Sequence, residues 1–292
     1  EVPVESKYVA TQLVFGHSVD AAGGLDAFIG LHDSKVLAFG LNNGIDIMQY
    51  EWRTHGTVED KANWEYVRFG IAGHGDKYPA HVKKYISDGM YHGGALGPND
   101  YDRGHEDMSL NDFVCHEYSK QAALCDYHVA ALRLYTTCSY PRFNNPMRRR
   151  ENPHPFKYTI YFLNEALKKL RKVAAQQCPK EFNSEAFYWR GIKDMSINWE
   201  DFIEHGASEL APMSTSASKA VAVGYASSGT TGLLFRFKAR GLARPVSIDY
   251  LSVYPMESEC LYPPLTCLQP ESRPYQDDEH GILVVEVTPQ IP

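Results

Sequence analysis

Two short segments in the second half of the chain carry side chains that could bind an anion. Arg190 lies in an otherwise apolar, strand-like run, where a guanidinium needs an acceptor such as a phosphate or carboxylate oxygen. Ser214, Thr215 and Ser216 precede a predicted helix. Hydroxyl residues at such a junction are typical helix caps, and they can also donate hydrogen bonds within a site. Taken singly, each feature also has a structural explanation, as an edge-strand arginine or as a cap.

A third segment could stabilise a cation, because it places Glu257 and Glu259 directly after a predicted strand. In extended backbone, residues i and i+2 point to the same side, so the two carboxylates are expected to face one space. Like charges so close repel each other, and a cationic substrate would relieve that repulsion. A solvated acidic turn is the alternative explanation.

The order of these features resembles the R-S-E signature of arginine-modifying mono-ADP-ribosyltransferases, whose last element is an E-x-E pair. Arg190 takes the first position, Ser214 begins the second, and Glu257 with Glu259 form the third. The flanking segments that also resemble this family are residues 128–136, 143–148, 211–216, 251–255 and 261–266. The resemblance extends from about residue 109 to the last residue.

The resemblance implies an α+β fold of two packed β-sheets with a preceding helical segment, and NAD bound as co-substrate in the cleft between the sheets. It assigns Arg190 to the NAD diphosphate or the nearby ribose, and the backbone of Gly191 to the nicotinamide amide. Thr215 and Ser216 are placed on the cofactor-binding side, where they mainly shape the junction between strand and helix. No metal ion is expected at this site.

The resemblance also assigns the catalytic groups. Ser214 would orient Glu259, whose charge would stabilise the oxocarbenium-like ribose that forms as nicotinamide leaves. Glu257 would position the arginine guanidinium of a protein substrate and accept its proton. The family also stacks a side chain on nicotinamide, for which the sequence offers three candidates: Tyr225, Phe235 and Met213.

The expected function is transfer of ADP-ribose from NAD to protein arginines with release of nicotinamide. An NAD glycohydrolase on the same fold is the first alternative, because water can replace the acceptor. A catalytically silent NAD-binding module is the second. The sequence specifies neither the target protein nor the oligomeric state.

Several elements must position these residues. The patterns predict helices at 126–135, 158–176 and 219–226, a helix capped by Ser109, and strands at 186–191, 232–237, 245–254 and 282–287. Residues 108–292 thus form the expected catalytic domain. Residues 1–107 have no recognised family and are expected to be β-rich, with strands at 8–15, 26–31, 35–39 and 45–52 and a helix at 79–88.

The amino-acid composition disfavours several classes of binding partner. The 292 residues carry a formal net charge of −7, which disfavours a nucleic acid, and no apolar run could span a membrane. Six cysteines without a CxxC pair favour free thiols and a cytoplasmic over a secreted location. Twelve histidines, among them His74, His81 and His92, lack zinc-site spacing, and residues 100–104 match a calcium loop poorly.

Overall fold

The computed structural model describes residues 13–15, 24–31, 43–70, 102–105, 108–193, 195, 197–227 and 232–292. The predicted strand at 35–39, the predicted helix at 79–88, and His74, His81 and His92 lie outside these residues. Within them, helices precede a mostly antiparallel sheet, so the α+β class is confirmed. No helix in this described part is both long and apolar enough to cross a membrane.

The first part of the chain is mainly helical where it is described, with β1 (Leu13–Phe15), α1 (Gly24–Phe28), α2 (Gly44–His55) and α3 (Val58–Phe69). Within the described residues, the predicted strands at 26–31 and 45–52 are wrong, whereas β1 lies inside the predicted strand at 8–15. The β-rich character of residues 1–107 as a whole stays a prediction. Met48 and Trp52 lie four residues apart on the buried face of α2, and Thr57 with Asp60 forms a capping box that begins α3. The helical spacing of the apolar residues and the capping box determine the local structure here, although the β-branched and aromatic residues favour a strand.

The next part is helical, as predicted. Its helices are α4 (Leu110–Cys115), α5 (Glu117–Gln121), α6 (Asp126–Thr136), α7 (Tyr140–Arg148), α8 (Lys157–Gln177) and α9 (Pro179–Asn183). A capping box of Ser109 and Asp112 begins α4. Ile160, Leu163 and Leu167 are fully buried on α8, in the hydrophobic cluster that also contains Trp52 of α2. The early helices therefore share a core with α8, while a domain boundary near residue 107 stays a prediction.

The last part supplies the sheet. Its elements are β2 (Ala186–Lys193), α10 (Trp199–His205), β3 (Ala207–Glu209), β4 (Met213–Ser216), α11 (Lys219–Ala226), β5 (Gly232–Ala239), β6 (Val246–Ser247), β7 (Glu259–Tyr262), β8 (Thr266–Pro270), β9 (Tyr275–Gln276) and β10 (Leu283–Gln290). Two 3₁₀ turns are Gly241–Ala243 and Pro255–Glu257. The predicted helix at 219–226 and the strands at 186–191, 232–237 and 282–287 are confirmed.

The strand order is β1-β3-β8-β10-β5-β2-β4-β7-β6, with β9 beside β10, and the β5–β10 pair is parallel. The β2–β4 pair joins the two parts of this network through Trp189 and Ser216. Side chains from both parts, such as Phe235 and Tyr262, pack in one hydrophobic cluster. The two predicted sheets are thus two connected parts of one sheet that share a core, and their junction lies at Arg190 and the hydroxyl run.

Candidate active site

The hydroxyl run on β4 is bonded to the segment that carries the glutamates. Thr215 Oγ1 donates to the carbonyl of Cys260 at 2.7 Å, and Ser216 Oγ donates to the carbonyl of Glu257 at 2.6 Å. Ser214 hydrogen-bonds through its side chain to the carboxylate of Glu259. The hydroxyls of Thr215 and Ser216 therefore hold the glutamate segment in place, and the Ser214 side chain lies next to Glu259. The orienting role of Ser214 stays a prediction. Direct contact of Thr215 and Ser216 with NAD stays a prediction.

Glu259, the first residue of β7, has a buried carboxylate held by two hydroxyls. Besides Ser214, Ser252 donates from Oγ to Glu259 Oε2 at 3.0 Å. Burial raises the pKa of Glu259, and the two hydrogen bonds act in the opposite direction by stabilising its charged form. The carboxylate is thus fixed in position without a neutralising cation among the described residues.

Glu257 ends the 3₁₀ turn, and Ser258 adopts the left-handed conformation with φ 48°. The expectation that both glutamates share one face of an extended segment is therefore wrong, because the backbone turns between them. They still interact: the charge of Glu259, after burial, raises the pKa of Glu257, which rises from 4.5 to about 7. Tyr225 Oη donates to Glu257 Oε1 at 2.7 Å and opposes that rise.

The predicted strand at 245–254 is also only partly correct, because β6 ends at Ser247. The residues after it form a turn fixed by polar contacts rather than by strand pairing. Val253 N donates to Thr136 Oγ1 at 3.1 Å, and Tyr254 N donates to Ser252 Oγ at 3.1 Å. This turn brings Ser252 to Glu259, which an extended chain could not do.

Arg190 lies on β2 beside the hydroxyl run, with Nη1 donating to the Ser214 carbonyl at 2.8 Å. Burial lowers the pKa of Arg190, while the nearby Glu209 carboxylate raises it and the Arg148 guanidinium lowers it. Arg148 and Glu209 form a buried two-point ion pair with N–O distances of 3.1 and 3.0 Å. Arg190 therefore lies close to the Arg148–Glu209 pair, so two guanidiniums occupy this part of the site.

Gly191 follows Arg190 where α11 crosses β2 closely. A Cβ built at this position would lie 1.9 Å from the carbonyl oxygen of Ala222. Because that neighbour is backbone, any larger residue would push α11 away from the sheet. This close approach explains the glycine, and the predicted contact of its backbone with nicotinamide stays a prediction.

The three candidates for stacking on nicotinamide differ in accessibility. Phe235 and Met213 are each 1% exposed and pack inside the sheet core. Tyr225 is only half-buried, and its hydroxyl reaches Glu257. Of these three side chains, only Tyr225 is both partly accessible and in contact with a residue of the site.

Among the residues that the structure describes, one surface group has the composition of a metal site: Asp277, Glu279 and His280. Lys219 Nζ lies 2.8 Å from Asp277 Oδ1 and 3.3 Å from Glu279 Oε2. The ammonium therefore already supplies the cation for these carboxylates. Asp102 belongs to residues 100–104, the segment that matches a calcium loop poorly. Its buried carboxylate forms an ion pair with the buried Arg133.

Sequence reasoning missed Ser252, Arg148 and Glu209 as parts of this region. Glu209 offered a signal, because an acidic residue directly before the apolar pair at 210–211 indicates a buried, paired charge. Arg148 ends the flanking segment 143–148 that resembles the family, but the resemblance assigns it no role in the site. Ser252 had no local signal, since its role depends on the turn that follows β6.

Comparison with known structures gave several similar folds at low identity. The ADP-ribosyltransferase HopU1 of Pseudomonas syringae is 17% identical, with 62% of this chain and 86% of that chain covered and a TM-score of 0.48. The eukaryotic mono-ADP-ribosyltransferase ART2.2 is 18% identical, with 89% and 90% covered and a TM-score of 0.47. Exoenzyme S from Pseudomonas aeruginosa, solved with human 14-3-3 protein beta and carba-NAD, is 18% identical, with 71% and 88% covered and a TM-score of 0.45.

The sequence was also compared with curated proteins and with models of protein families. No curated protein matches the chain. A family model described as NAD:arginine ADP-ribosyltransferase matches residues 111–287, which is more than half of the chain and includes Arg190, the hydroxyl run and both glutamates. The chain therefore belongs to the NAD:arginine ADP-ribosyltransferase family, whose co-substrate is NAD.

Proposed function

We propose that this protein transfers ADP-ribose from NAD to arginine side chains of proteins and releases nicotinamide. The observation that carries the proposal is the pair of buried carboxylates, Glu257 and Glu259, each held by neutral hydroxyls. Buried carboxylates normally have a cationic partner. Here two successive cations of the reaction would fill that role: the developing ribose cation and the acceptor guanidinium.

NAD binding is assigned to the β2 side of the site. Arg148 pairs with Glu209, and Arg190 adds a second guanidinium close to that pair, which suits an anionic diphosphate. Gly191 lets α11 pack closely on β2 next to Arg190, which holds the strand that carries this guanidinium. These features support NAD as the substrate of this cleft.

Glu259 supplies the field for bond cleavage. As the bond between nicotinamide and ribose C1′ breaks, its electrons leave with nicotinamide and positive charge develops on the ribose. A carboxylate that Ser214 and Ser252 already hold in place stabilises that charge without reorganising. Nicotinamide leaves as a neutral molecule, so this step needs no general acid.

Glu257 is assigned to the acceptor. A guanidinium is protonated throughout the physiological pH range and is a poor nucleophile until it loses a proton. Ionised Glu257 would bind the guanidinium and accept that proton while the guanidine nitrogen bonds to C1′. The nearby charge of Glu259 favours a cation at this position.

The test is acceptor dependence. The protein is incubated with labelled NAD, with agmatine as the arginine analogue and with cadaverine as an amine control that lacks a guanidinium. We expect labelled ADP-ribosyl-agmatine and no cadaverine adduct. Mass spectrometry of a lysate treated with the protein and NAD should place the modification on arginine side chains.

Other outcomes would overturn the proposal. Nicotinamide release at an equal rate with and without agmatine, with no adduct, would identify an NAD glycohydrolase. Thermal stabilisation by NAD without any nicotinamide release would identify a silent NAD-binding module. Modification mainly of serine, cysteine or nucleic-acid bases would contradict the assignment of Glu257 to arginine.

A further inference from the structure

The hydroxyl of Tyr225 contacts a carboxylate that has no other side-chain hydrogen bond among the described residues. Tyr225 Oη donates to Glu257 Oε1 at 2.7 Å, from the last turn of α11. The backbone of Glu257 is fixed separately, through the bond from Ser216 Oγ to its carbonyl. The side chain of Glu257 therefore depends on Tyr225 for its orientation, while the turn that carries it does not.

We propose that the Tyr225 hydroxyl is the positioning group for Glu257, holding its carboxylate toward the acceptor and favouring its ionised form, so that Tyr225 sets the pH range of transfer to arginine. This inference rests on the proposed function, because it assigns Glu257 to the acceptor. It concerns the hydroxyl and not the ring, so any stacking of Tyr225 on nicotinamide is a separate property.

The groups that face Glu257 act in two directions. Burial and the charge of Glu259 on β7 raise the pKa of Glu257, whereas the hydrogen bond from Tyr225 on α11 lowers it. Losing the hydroxyl leaves both raising effects in place. The carboxylate would then stay protonated to a higher pH, and it could neither pair with a guanidinium nor accept its proton.

Hydrolysis of NAD offers an internal reference. Glu259 is held by Ser214 and Ser252, on β4 and on the turn after β6, and not by Tyr225. Cleavage of the nicotinamide bond with water as acceptor should therefore not need the Tyr225 hydroxyl. If the inference is correct, loss of the Tyr225 hydroxyl changes the rate of transfer and not the rate of hydrolysis. If Tyr225 acts on NAD instead, both rates change together.

The experiment compares Tyr225→Phe with the wild-type protein over pH 5–9, measuring agmatine adduct and acceptor-free nicotinamide release. The agmatine guanidinium does not titrate in this range, so the acidic limb of transfer reports on the enzyme. We expect that limb to move upward by about one pH unit, which is about a tenfold loss of transfer below the limb and recovery above it. Acceptor-free hydrolysis should show no such shift of its acidic limb. Tyr250→Phe removes a hydroxyl that contacts Ser119 outside the site and should leave both profiles unchanged.

A second measurement does not depend on activity. Carbon-13 NMR of glutamate carboxyl groups, with Glu257→Gln to identify the resonance, should show a titration that shifts to higher pH in Tyr225→Phe. An unchanged titration, or an equal loss of transfer and hydrolysis at every pH, would overturn the inference. Failure of the proposed function looks different: the wild-type protein itself would form no agmatine adduct at any pH.

Discussion

Buried carboxylates occur in two kinds of surroundings in this molecule. At the junction of the first helices with the later chain, Asp102 accepts two hydrogen bonds from Arg133 at 3.0 and 2.8 Å and a further one from Tyr66. At the candidate active site, Glu257 and Glu259 receive hydrogen bonds from neutral hydroxyls instead. In the first arrangement a guanidinium neutralises the carboxylate, whereas no ion pair with Glu257 or Glu259 is found among the described residues.

The pKa values follow this difference. Although burial raises the pKa of Asp102, the charge of Arg133 and the hydrogen bonds lower it to about 2. Burial raises the pKa of Glu257 to about 7, because its single hydroxyl partner compensates only in part. The carboxylate paired with a cation thus stabilises the fold, and under the proposed function the uncompensated one is available to a cationic substrate.

Glu51 shows that a missing cation alone does not identify a site. Its buried carboxylate has a pKa raised to about 7, yet it accepts hydrogen bonds from Tyr158 N, Thr159 N and Thr159 Oγ1 at the start of α8. Those donors occupy it as a helix cap from a distant part of the chain. Glu257, with one side-chain hydrogen bond, retains capacity for a ligand.

The largest expected effect comes from breaking the completed pair. Arg133→Met should leave Asp102 buried without its cation and lower the free energy of unfolding by about 3–5 kcal/mol. Urea denaturation measures this loss. Arg149→Met is the matched control, because its pair with Glu151 is exposed and should contribute less than about 1 kcal/mol. A loss as small as the control's would show that the buried pair does not hold these elements together.

A smaller effect of opposite sign is expected at the site. Because the folded state raises the pKa of Glu257 from 4.5 to about 7, it binds this proton more tightly than the unfolded chain does. The stability from this group is complete below pH 4.5 and is lost as the pH rises through about 7. Glu257→Gln should therefore be more stable than the wild-type protein by about 1–3 kcal/mol at pH 8, with no difference near pH 4.

Thermal or urea unfolding at both pH values measures that difference, with Glu204→Gln as a control at a side chain that is 75% exposed. A Glu257→Gln variant that is less stable than the wild-type protein at pH 8 would contradict the description of this carboxylate as uncompensated.

The smallest effect concerns the second hydroxyl on Glu259. Ser252→Ala removes one of two hydrogen bonds to that carboxylate and should lower kcat about three- to tenfold for transfer and hydrolysis alike, with KM for NAD unchanged. Ser247→Ala is the control, since that hydroxyl contacts Asp249 on the surface. Equal kcat values for Ser252→Ala and the wild-type protein would assign Ser252 to the turn alone.

Local patterns and motifs predicted much of the catalytic region. The leucine spacing predicted α8, because the apolar side chains of a helix recur at steps of three and four residues. The order of Arg190, the hydroxyl run and the two glutamates can likewise be read directly from the linear sequence. The aromatic content of residues 45–52 predicts a strand. The structure has a helix there, because the helical spacing of the apolar side chains lets them pack against the core. Ser252 and the Tyr225–Glu257 contact could not be predicted, since both arise where distant segments turn toward each other.

The most direct test of the account is a pair of rates, nicotinamide release and agmatine adduct formation, measured for Glu259→Gln and Glu257→Gln. Glu259→Gln keeps the side-chain shape but removes the charge that, under the proposed function, stabilises the ribose cation, so both rates should fall by about 10²–10³. Glu257→Gln should lose transfer while hydrolysis survives, because water takes the place of the acceptor. Equal loss of both rates in Glu257→Gln, or surviving hydrolysis in Glu259→Gln, would contradict the division of roles between the two carboxylates.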